Sequence, residues 1–480
     1  MLALAAASLA LSIPQLGWRA GTPEPILEAS PRWVELYWKA WENVQVATVK
    51  SDGPPGMQGP GSKPFPHGVI AEGGAENYDG SLAVALFGRW AFRACGADAT
   101  IRWALGKVDT SGRVSNAAGS FAWEAHGPPI AGLVAWRLYQ ITGDKAKLEP
   151  LLAPLVRRHA YITARYTAEP EPKPDNPKDK PKVRHFVAPG LSVIPGPAPE
   201  VEQSAEAVGL LLQGAVFLRK VARTLGVGRA ERVYEGLVER GSADLAAMWD
   251  TDLKMLTGRN AEDEPSERRS LVPLWGLIGG EVPVSVSQAA LGALRDPKLF
   301  YRRTLFPLLP KTDPVYDGSA GVRPLYSYLT LRSLIDCGLS EQAGRAAESM
   351  LSVYEGAAGS SLTLFDMYGP ETRTPAPRAN PHSLEAGLIV IAALIEAVIG
   401  IDVDASKSEV QWNIRRADRH GIANLRFGNN LVTLRCGPRQ TSGDLPTVSI
   451  DCERPFTLSI AWGSQKAKKR FPEGRHQWTP

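Results

Sequence analysis

Carboxylates beside aromatic side chains are the groups in this sequence that could carry chemistry. Asp79 follows Tyr78 at the start of a predicted helix. There the carboxylate could accept two hydrogen bonds from hydroxyl groups while the ring offers an apolar face, or it could simply cap the helix. Glu124 stands between Trp123 and His126 in a turn that precedes a Gly-Pro-Pro sequence. It is either an acid that faces a pocket or a surface carboxylate.

His382 and Glu385 form a second pair, at the start of the last long predicted helix. A histidine beside an acid could act in proton transfer, but a helix cap with a glutamate in the first turn is the commoner arrangement. The 13 Trp and 12 Tyr residues suit a carbohydrate cleft, because flat rings stack on the faces of pyranose sugars. Most of them are expected in the core.

Other chemistries have no motif here. The sequence contains no phosphate loop, nucleophile elbow, His-Glu-x-x-His or dinucleotide fingerprint. Its four cysteines lack the Cys-x-x-Cys spacing of zinc sites, so neither a metal nor another cofactor is predicted. Cys436 and Cys452 fall on two neighbouring candidate strands, where they could form a disulfide in an oxidising compartment or remain buried thiols.

The charge of the chain gives no indication of a nucleic-acid partner. The 54 Lys and Arg residues nearly balance the 50 Asp and Glu residues, and the net charge of +4 is spread over 480 residues. The late basic run Lys466, Lys468, Lys469 and Arg470 is interpreted as a solvated strand end or hairpin. A chain of this length favours one large domain and a smaller one.

Residues 1–13 are apolar and small, like the central region of a secretory signal, but no Lys or Arg precedes them. The segment is too short to span a bilayer as a helix, and no other membrane contact is predicted. It favours a secreted or periplasmic protein slightly over a cytoplasmic one in which these residues form an N-terminal helix.

The organisation along the chain predicts an all-α body followed by a small β module. Amphipathic segments alternate with Gly- and Pro-rich loops from residue 31 to about 401. About a dozen such helices can close a ring of helical hairpins. After Asp404, short apolar runs separated by turn signals predict five or six antiparallel strands. The predicted parts are residues 1–25, 26–403 and 404–480, and the Pro-rich segment 168–182 is either a lid or a surface insertion.

The order of several short motifs resembles the (α/α)6 glycosidases of families 63 and 37. These families include mannosylglycerate and glucosylglycerate hydrolases, processing α-glucosidases and trehalases. The motifs that carry the resemblance are Tyr78-Asp79-Gly80-Ser81, Gly127-Pro128-Pro129, Trp249-Asp250, Val272-Pro273-Leu274-Trp275, Asp313-Pro314-Val315-Tyr316, Arg323-Pro324-Leu325-Tyr326 and Tyr368-Gly369-Pro370-Glu371-Thr372. The resemblance covers almost the whole helical body and implies an (α/α)6 toroid.

The resemblance also implies catalytic roles. An inverting glycosidase needs an acid that protonates the leaving oxygen and a base that activates water on the opposite face of the sugar. Alignment of the last motif places Asp366 where the family has its base, a glutamate. The position of the acid falls at Ser192, which cannot serve, and the nearest carboxyls are Glu200 and Glu202. These two acids could instead only stabilise the start of the next helix.

The remaining residues would form the sugar-binding floor. The predicted members are Tyr78, Asp79, Trp123, Glu124, His126, Arg323 and His382, of which Trp123 and His126 replace the polar residue usual in the family and Glu124 is an additional acid. The sequence thus predicts a glycoside hydrolase that cleaves a short α-linked glycoside with inversion. One alternative is a catalytically impaired homologue that binds carbohydrate without cleaving it, and a weaker one is a polysaccharide lyase, which needs a Tyr or His base near an Arg.

Overall fold

The computed structural model describes residues 19, 21–49, 69–70, 78–93, 96–114, 129–166, 203–260, 264–265, 269–313, 316 and 321–480. The Pro-rich segment 168–182 lies outside these ranges, as do Trp123, Glu124, His126, Ser192, Glu200 and Glu202. Eleven α-helices are present in the described ranges. They are α1 Pro31–Ala47, α2 Tyr78–Gly88, α3 Ala97–Leu105, α4 Ala131–Thr142, α5 Lys145–Tyr166, α6 Ala205–Leu225, α7 Gly228–Ala247, α8 Val284–Gly292, α9 Pro324–Asp336, α10 Ser340–Ala358 and α11 Leu384–Ala392.

Helices of the body alternate along the chain between an inner and an outer position. The inner helices α2, α9 and α11 are buried on nearly every side, as expected of helices without a polar face. Around the body α2 packs on α4, α4 on α6, α6 on the short 3-10 helix Val272–Leu277, that helix on α9, α9 on α11, and α11 on α2. The outer helices α1, α3, α5, α7, α8 and α10 expose one face to solvent.

Local sequence fixes the ends of the inner helices. The hydroxyl of Ser204 accepts a hydrogen bond from the backbone N–H of Ala207 at 3.2 Å, and the hydroxyl of Ser383 accepts one from Ala386 at 3.2 Å. Each serine satisfies an N–H group that the first helical turn leaves unpaired. Gly226 ends α6 in the left-handed conformation, with φ 73°, which glycine adopts without steric cost.

A buried network of charges ties the C-terminal ends of the inner helices together. Its members are Arg89, Arg137, Arg332, Asp336, Glu396 and Asp402. Arg332 of α9 reaches Glu396 at 3.2 Å and Asp402 at 2.9 Å, both of which follow α11. Since Arg89 follows α2 and Arg137 lies in the second half of α4, these helices run in the same direction.

The network carries three positive and three negative side chains, so its formal charge is balanced. Burial alone would raise the pKa of Asp402, but Arg137 and Arg332 more than offset this and hold the pKa well below its ordinary value. Buried charges are tolerated when each is paired and hydrogen-bonded in this way. The network therefore marks one fixed end of the helical body.

Short strands also occur before and within the helical body. Strand β1, Glu24–Leu27, precedes the first helix. Two-residue strands, β2 Thr48–Val49 with β3 Val69–Ile70 and β4 Trp249–Asp250 with β5 Met255–Leu256, form small ladders within the body.

Two sheets form the β module, which contains the strands β6 Ile401–Asp404, β7 Glu409–Asn413, β8 His420–Phe427, β9 Asn430–Cys436, β10 Val448–Cys452, β11 Phe456–Trp462, β12 Gln465–Phe471 and β13 Gly474–Trp478. One sheet has the order β1-β8-β9-β10-β13 and the other β12-β11-β7-β6. Strand β1 thus comes from before the helical body and pairs with β8 of the module.

The prediction of a helical body followed by a β module is confirmed, with two differences. The pairing of β7 with β11 is parallel, because the intervening strands β8 to β10 belong to the other sheet and supply the long crossover that a parallel pair needs. The module also has more strands than the five or six predicted.

The cysteines of the module are free thiols. Cys436 pairs with Val448 and Cys452 with Val432, at opposite ends of the β9–β10 ladder. This register keeps the two sulfur atoms apart, so the disulfide alternative is wrong. Among the described helices, none is both long and apolar enough to cross a membrane.

Candidate functional site

Most of the predicted site residues in the described ranges lie at the N-terminal end of the inner helices, opposite the charge network. Tyr78 and Asp79 begin α2, Arg323 precedes α9, and His382 lies two residues before α11. Asp366 lies in the loop between α10 and α11. Because the inner helices run in the same direction, these positions share one end of the body. The side chain of Asp79 is outside the described part of the structure.

Within the described part of the chain, Asp366 is held by hydrogen bonds to Asn380. The backbone N–H of Asn380 donates to Oδ1 of Asp366 at 2.7 Å, and its side-chain Nδ2 donates to Oδ2 at 2.7 Å. The backbone N–H of Asp366 donates in return to the carbonyl of Asn380 at 3.2 Å. A carboxylate has about four lone-pair positions, so this half-buried group can still accept a hydrogen bond from water or from a sugar hydroxyl.

The Asp366 loop is fixed to the start of α9. Val322 and Tyr368 exchange backbone hydrogen bonds of 2.7 and 3.0 Å. A Cβ atom at Gly321 would lie 1.7 Å from Cγ of Met367, so a larger residue at position 321 would displace the Met367 side chain. The ring of Tyr368 stacks on that of Tyr354 with 4.4 Å between centroids. The Asp366 loop is therefore packed against both α9 and α10.

His382 and Arg323 lie close to this loop in the backbone. A bridge between Phe365 and Pro381 places His382 beside the Asp366 segment. His382 is exposed and has φ 60°, a conformation that is uncommon outside glycine and is concentrated at functional positions. The exposed Arg323 adjoins Val322, and its guanidinium lies 5.9 Å from the ring centroid of Tyr326.

Tyr78 is buried at the start of α2, and the guanidinium of Arg158 lies 5.8 Å from its ring centroid. Helix α2 packs on α11, so Tyr78 belongs to the same end of the body as His382. The structure therefore brings Asp366, His382 and Arg323 together in neighbouring segments and places Tyr78 at the next helix of the ring.

A cluster that the sequence did not predict lies in the same loop. Both Glu371 oxygens accept hydrogen bonds from Arg302, at 2.7 Å from Nε and 2.6 Å from Nη2, and the hydroxyl of Tyr316 donates to Glu371 at 2.7 Å. Hydrogen bonds from Arg302 hold the pKa of Glu371 below its ordinary value. Glu371 and Tyr316 were visible in the motifs, but nothing in the sequence linked them to Arg302.

Glu206 is a second carboxylate that sequence analysis did not single out. It lies in the first turn of α6 and is 5% exposed, at the same end of the body as Asp366. The sequence offered no signal for it, because its burial is visible only in the structure, where a buried carboxylate is normally a paired one. Within the described ranges, no group of three or more His, Cys, Asp or Glu residues could hold a metal ion.

Comparison with known proteins gives a likeness of fold. No protein-family model matches the chain, and no curated protein matches its sequence. The GH63 mannosylglycerate hydrolase from Thermus thermophilus in complex with glucose superposes with a TM-score of 0.51 and 14% identity, covering 75% of this chain and 99% of that one. The fold thus resembles that of an α/α-barrel glycoside hydrolase.

Two larger proteins superpose over more of the chain. The α-L-rhamnosidase from Dictyoglumus thermophilum gives a TM-score of 0.57 at 13% identity, covering 95% of this chain and 50% of that one. A protein described as a sialidase gives 0.66 at 11% identity, covering 90% and 40%. The chain therefore spans half or less of these two proteins, and at such identities the likeness extends to the fold alone.

Proposed function

We propose that this protein is a glycoside hydrolase whose site lies at the N-terminal end of the inner helices. The observation that carries the proposal is Asp366, a half-buried carboxylate whose oxygens are both oriented by Asn380. It lies in a loop where the sequence resembles the base motif of α/α-barrel glycosidases. The likeness in fold to such enzymes supports the same assignment.

The proposed architecture is a toroid of six helical hairpins. The cyclic packing of the inner elements supports it, and the alternation of inner and outer helices supplies the hairpins. A toroid of this kind leaves a pocket at the end where the inner helices begin, and a short glycoside would enter there.

In the proposed mechanism Asp366 accepts a proton from a water molecule, which attacks the anomeric carbon. A second carboxyl on the opposite face protonates the leaving oxygen, so that the glycosidic bond breaks with inversion. Inverting enzymes hold the two carboxyls about 6.5–9.5 Å apart. Glu200, Glu202 and the buried Glu206 are the candidates for the acid, and all three lie at or near the start of α6.

Sugar hydroxyls would bind to the remaining polar groups of this end. The proposed contacts are Tyr78, Asp79, Trp123, Glu124, His126, Arg323 and His382. Glu371 is a positioning residue in this scheme, because its oxygens are engaged by Arg302 and Tyr316. These contacts would hold the Asp366 loop against the adjoining segment around residue 302.

The test is hydrolysis of a panel of glycosides by the full chain and by Asp366→Asn. The panel contains mannosylglycerate, glucosylglycerate, trehalose, α-glucobioses and an aryl α-L-rhamnoside. We expect one class to be cleaved, and we expect the variant to lose at least about a hundredfold in kcat, as is usual when a proton-transfer group is removed. NMR of the first-formed product should show the inverted anomer.

Asp451→Asn is the matched control, since Asp451 is half-buried on β10, far along the chain from the Asp366 loop, and pairs with Arg475 at 3.1 Å. It should leave kcat unchanged. Undiminished hydrolysis by Asp366→Asn would remove Asp366 from the mechanism, and a retained anomer would exclude inversion.

A second candidate is a homologue that binds carbohydrate without cleaving it. The observation in its favour is that Asn380 already engages both oxygens of Asp366, which also suits a structural carboxylate. Saturable binding of a panel glycoside in calorimetry, with no turnover of any member, would support this candidate over the hydrolase.

A further inference from the structure

A cavity of about 550 Å³ lies between the helical body and the β module, at the opposite end from the Asp366 loop. Its walls come from the C-terminal parts of α4, α6 and α9 and from strands β6, β7 and β11. The volume falls in the range of small-molecule sites in proteins. Two tryptophans, the half-buried Trp136 and the buried Trp462, contribute rings to the wall.

The walls carry more positive than negative charge. The cationic side chains are Arg137, Lys220, Arg332, Lys407, Arg415 and Lys466, and the anionic ones are Asp336, Glu341, Asp402 and Asp404. Six cations against four anions leave a formal excess of two positive charges. This excess favours an anionic ligand over a cationic one.

In the described ranges the cations of the wall without an ion pair are Lys220, Arg415 and Lys466, and the first two are half-buried whereas Lys466 is exposed. Nζ of Lys220 contacts the carbonyl of Gly279 at 3.5 Å, and Nη2 of Arg415 donates to the carbonyl of Val398 at 2.9 Å. Within the described ranges, neither cation has a carboxylate oxygen within 4 Å. By contrast, Arg137 and Arg332 are both paired with Asp336 and Asp402.

Burial makes these two unpaired cations unusual. Desolvation lowers the pKa of Lys220 and also that of Arg415, because too little negative charge lies nearby to compensate it. Nε of Arg415 is buried and has no hydrogen-bond partner among the described residues. Lys220 also lies 5.2 Å from the ring centroid of Phe217. Buried cations are normally paired with an anion, and an anionic ligand would supply the negative charge that both groups lack.

Helix α10 leaves room for Arg415. A Cβ atom at Gly344 would lie 1.3 Å from Nη1 of Arg415, so a side chain at this position would displace the guanidinium. Glycine inside a helix costs about 0.5–1 kcal/mol relative to alanine. Gly344 therefore leaves room beside α10 for the guanidinium of Arg415.

We propose that this cavity is a binding site for a sugar-sized ligand that carries a phosphate or carboxylate group. Lys220 and Arg415 would bind the oxyanion, since guanidinium and ammonium groups form strong charge-assisted hydrogen bonds with it. Polar wall groups such as Gln140, Gln411 and Asn413 would bind hydroxyls. The site is separate from the proposed hydrolytic site and does not depend on it.

Calorimetric titration of the full chain at low ionic strength tests the proposal, with glucose 6-phosphate, glucuronate, inorganic phosphate and glucose as ligands. We expect one-to-one saturable binding of glucose 6-phosphate or of glucuronate, and none of glucose. The tighter of the two identifies the anionic group. Lys220→Met and Arg415→Gln should each weaken binding about tenfold or more, as expected for loss of a charge-assisted contact.

Lys298→Met is the control, because it removes one positive charge from an exposed loop outside the cavity. Binding to this variant and to Asp366→Asn should stay within about twofold of the parent, since neither change touches the cavity. Two cavity variants are tested so that one remains informative if the other does not fold. The proposal is overturned if neither sugar anion binds, if glucose binds equally well, or if both folded cavity variants bind like the parent.

Discussion

His420 is a buried histidine whose surroundings suit only its neutral form. Its Nδ1 donates to the carbonyl of Asp418 at 2.7 Å, while Nε2 is buried without a hydrogen-bond partner in the described part of the chain. Burial lowers the pKa of His420 to about 4, and the nearby Asp418 offsets this only partly. Protonation would create a buried cation beside Trp412, whose ring centroid lies 5.7 Å away.

The stability of the protein should therefore fall as the pH decreases from about 6.5, the ordinary pKa of histidine, towards 4. Between these two pH values His420 is protonated in the unfolded chain and neutral in the folded chain. His420→Phe should reduce the pH slope of the unfolding free energy by up to about 1.4 kcal/mol per pH unit. Urea unfolding at several pH values between 4.5 and 7 measures this slope.

Trp412→Phe is the matched control, because it disturbs the same packing and keeps the histidine. Its stability should be lower at every pH, with the slope retained. Part of the slope should remain in both variants, since burial also lowers the pKa of His159 to about 4. An unchanged slope in His420→Phe would contradict the assignment.

Some residues of the candidate site could be identified from the sequence, but the contacts between them could not. Asp366 was identified through a local motif, but its partner Asn380 is fourteen residues away in a loop without periodicity. Arg302 and Glu371 are separated by 69 residues. Pairings at such distances depend on how the loops fold back, which local propensity does not encode.

At the level of the elements, Glu396 is the residue on which the charge network depends most. Its Oε1 accepts from Arg89 and from Trp90 Nε1, the latter at 3.1 Å, while Oε2 accepts from Tyr328 at 2.9 Å and from Arg332 at 3.2 Å. These contacts join the ends of α2, α9 and α11. The side chain is 1% exposed.

Glu396→Gln should lower the free energy of unfolding by about 3–5 kcal/mol, because it leaves buried arginine charge uncompensated. Thermal and urea unfolding at neutral pH measure the loss. Glu35→Gln breaks an exposed pair with Arg32 at 2.8 Å and should cost less than about 1 kcal/mol. A loss in Glu396→Gln no larger than that in Glu35→Gln would contradict this expectation.

Two elements have weak patterns in the sequence for identifiable reasons. Helix α8 begins Val284-Ser285-Val286, and β-branched residues favour strands over helices. Strand β12 contains four basic residues and has no alternation of apolar and polar positions. It lies at the edge of its sheet, where charged side chains prevent pairing with another molecule. The long helices were predicted because periodicity and caps agreed.

On the scale of the whole molecule, strand β1 makes the helical body and the β module interdependent. Its residue Leu27 is buried and pairs with His420 of β8. We expect one cooperative unfolding transition in calorimetry, with the helical signal in circular dichroism lost at the same temperature.

Leu27→Asp should lower that temperature for both parts together, because an unpaired charge would be buried between them. The loss should be at least about 2 kcal/mol, the usual size for a buried polar group without a partner. Glu24→Gln, at an exposed position of the same strand, should leave it unchanged. Two separated transitions in the parent protein would contradict this interdependence.

The common direction of the inner helices also has an electrostatic consequence. Each α-helix carries a macrodipole equivalent to roughly half a positive charge at its N-terminus and half a negative charge at its C-terminus. The buried arginines Arg89, Arg137 and Arg332 stand at the negative poles, while the positive poles point towards the Asp366 loop. The backbone thus adds positive electrostatic potential at the proposed hydrolytic site and negative potential at the charge network.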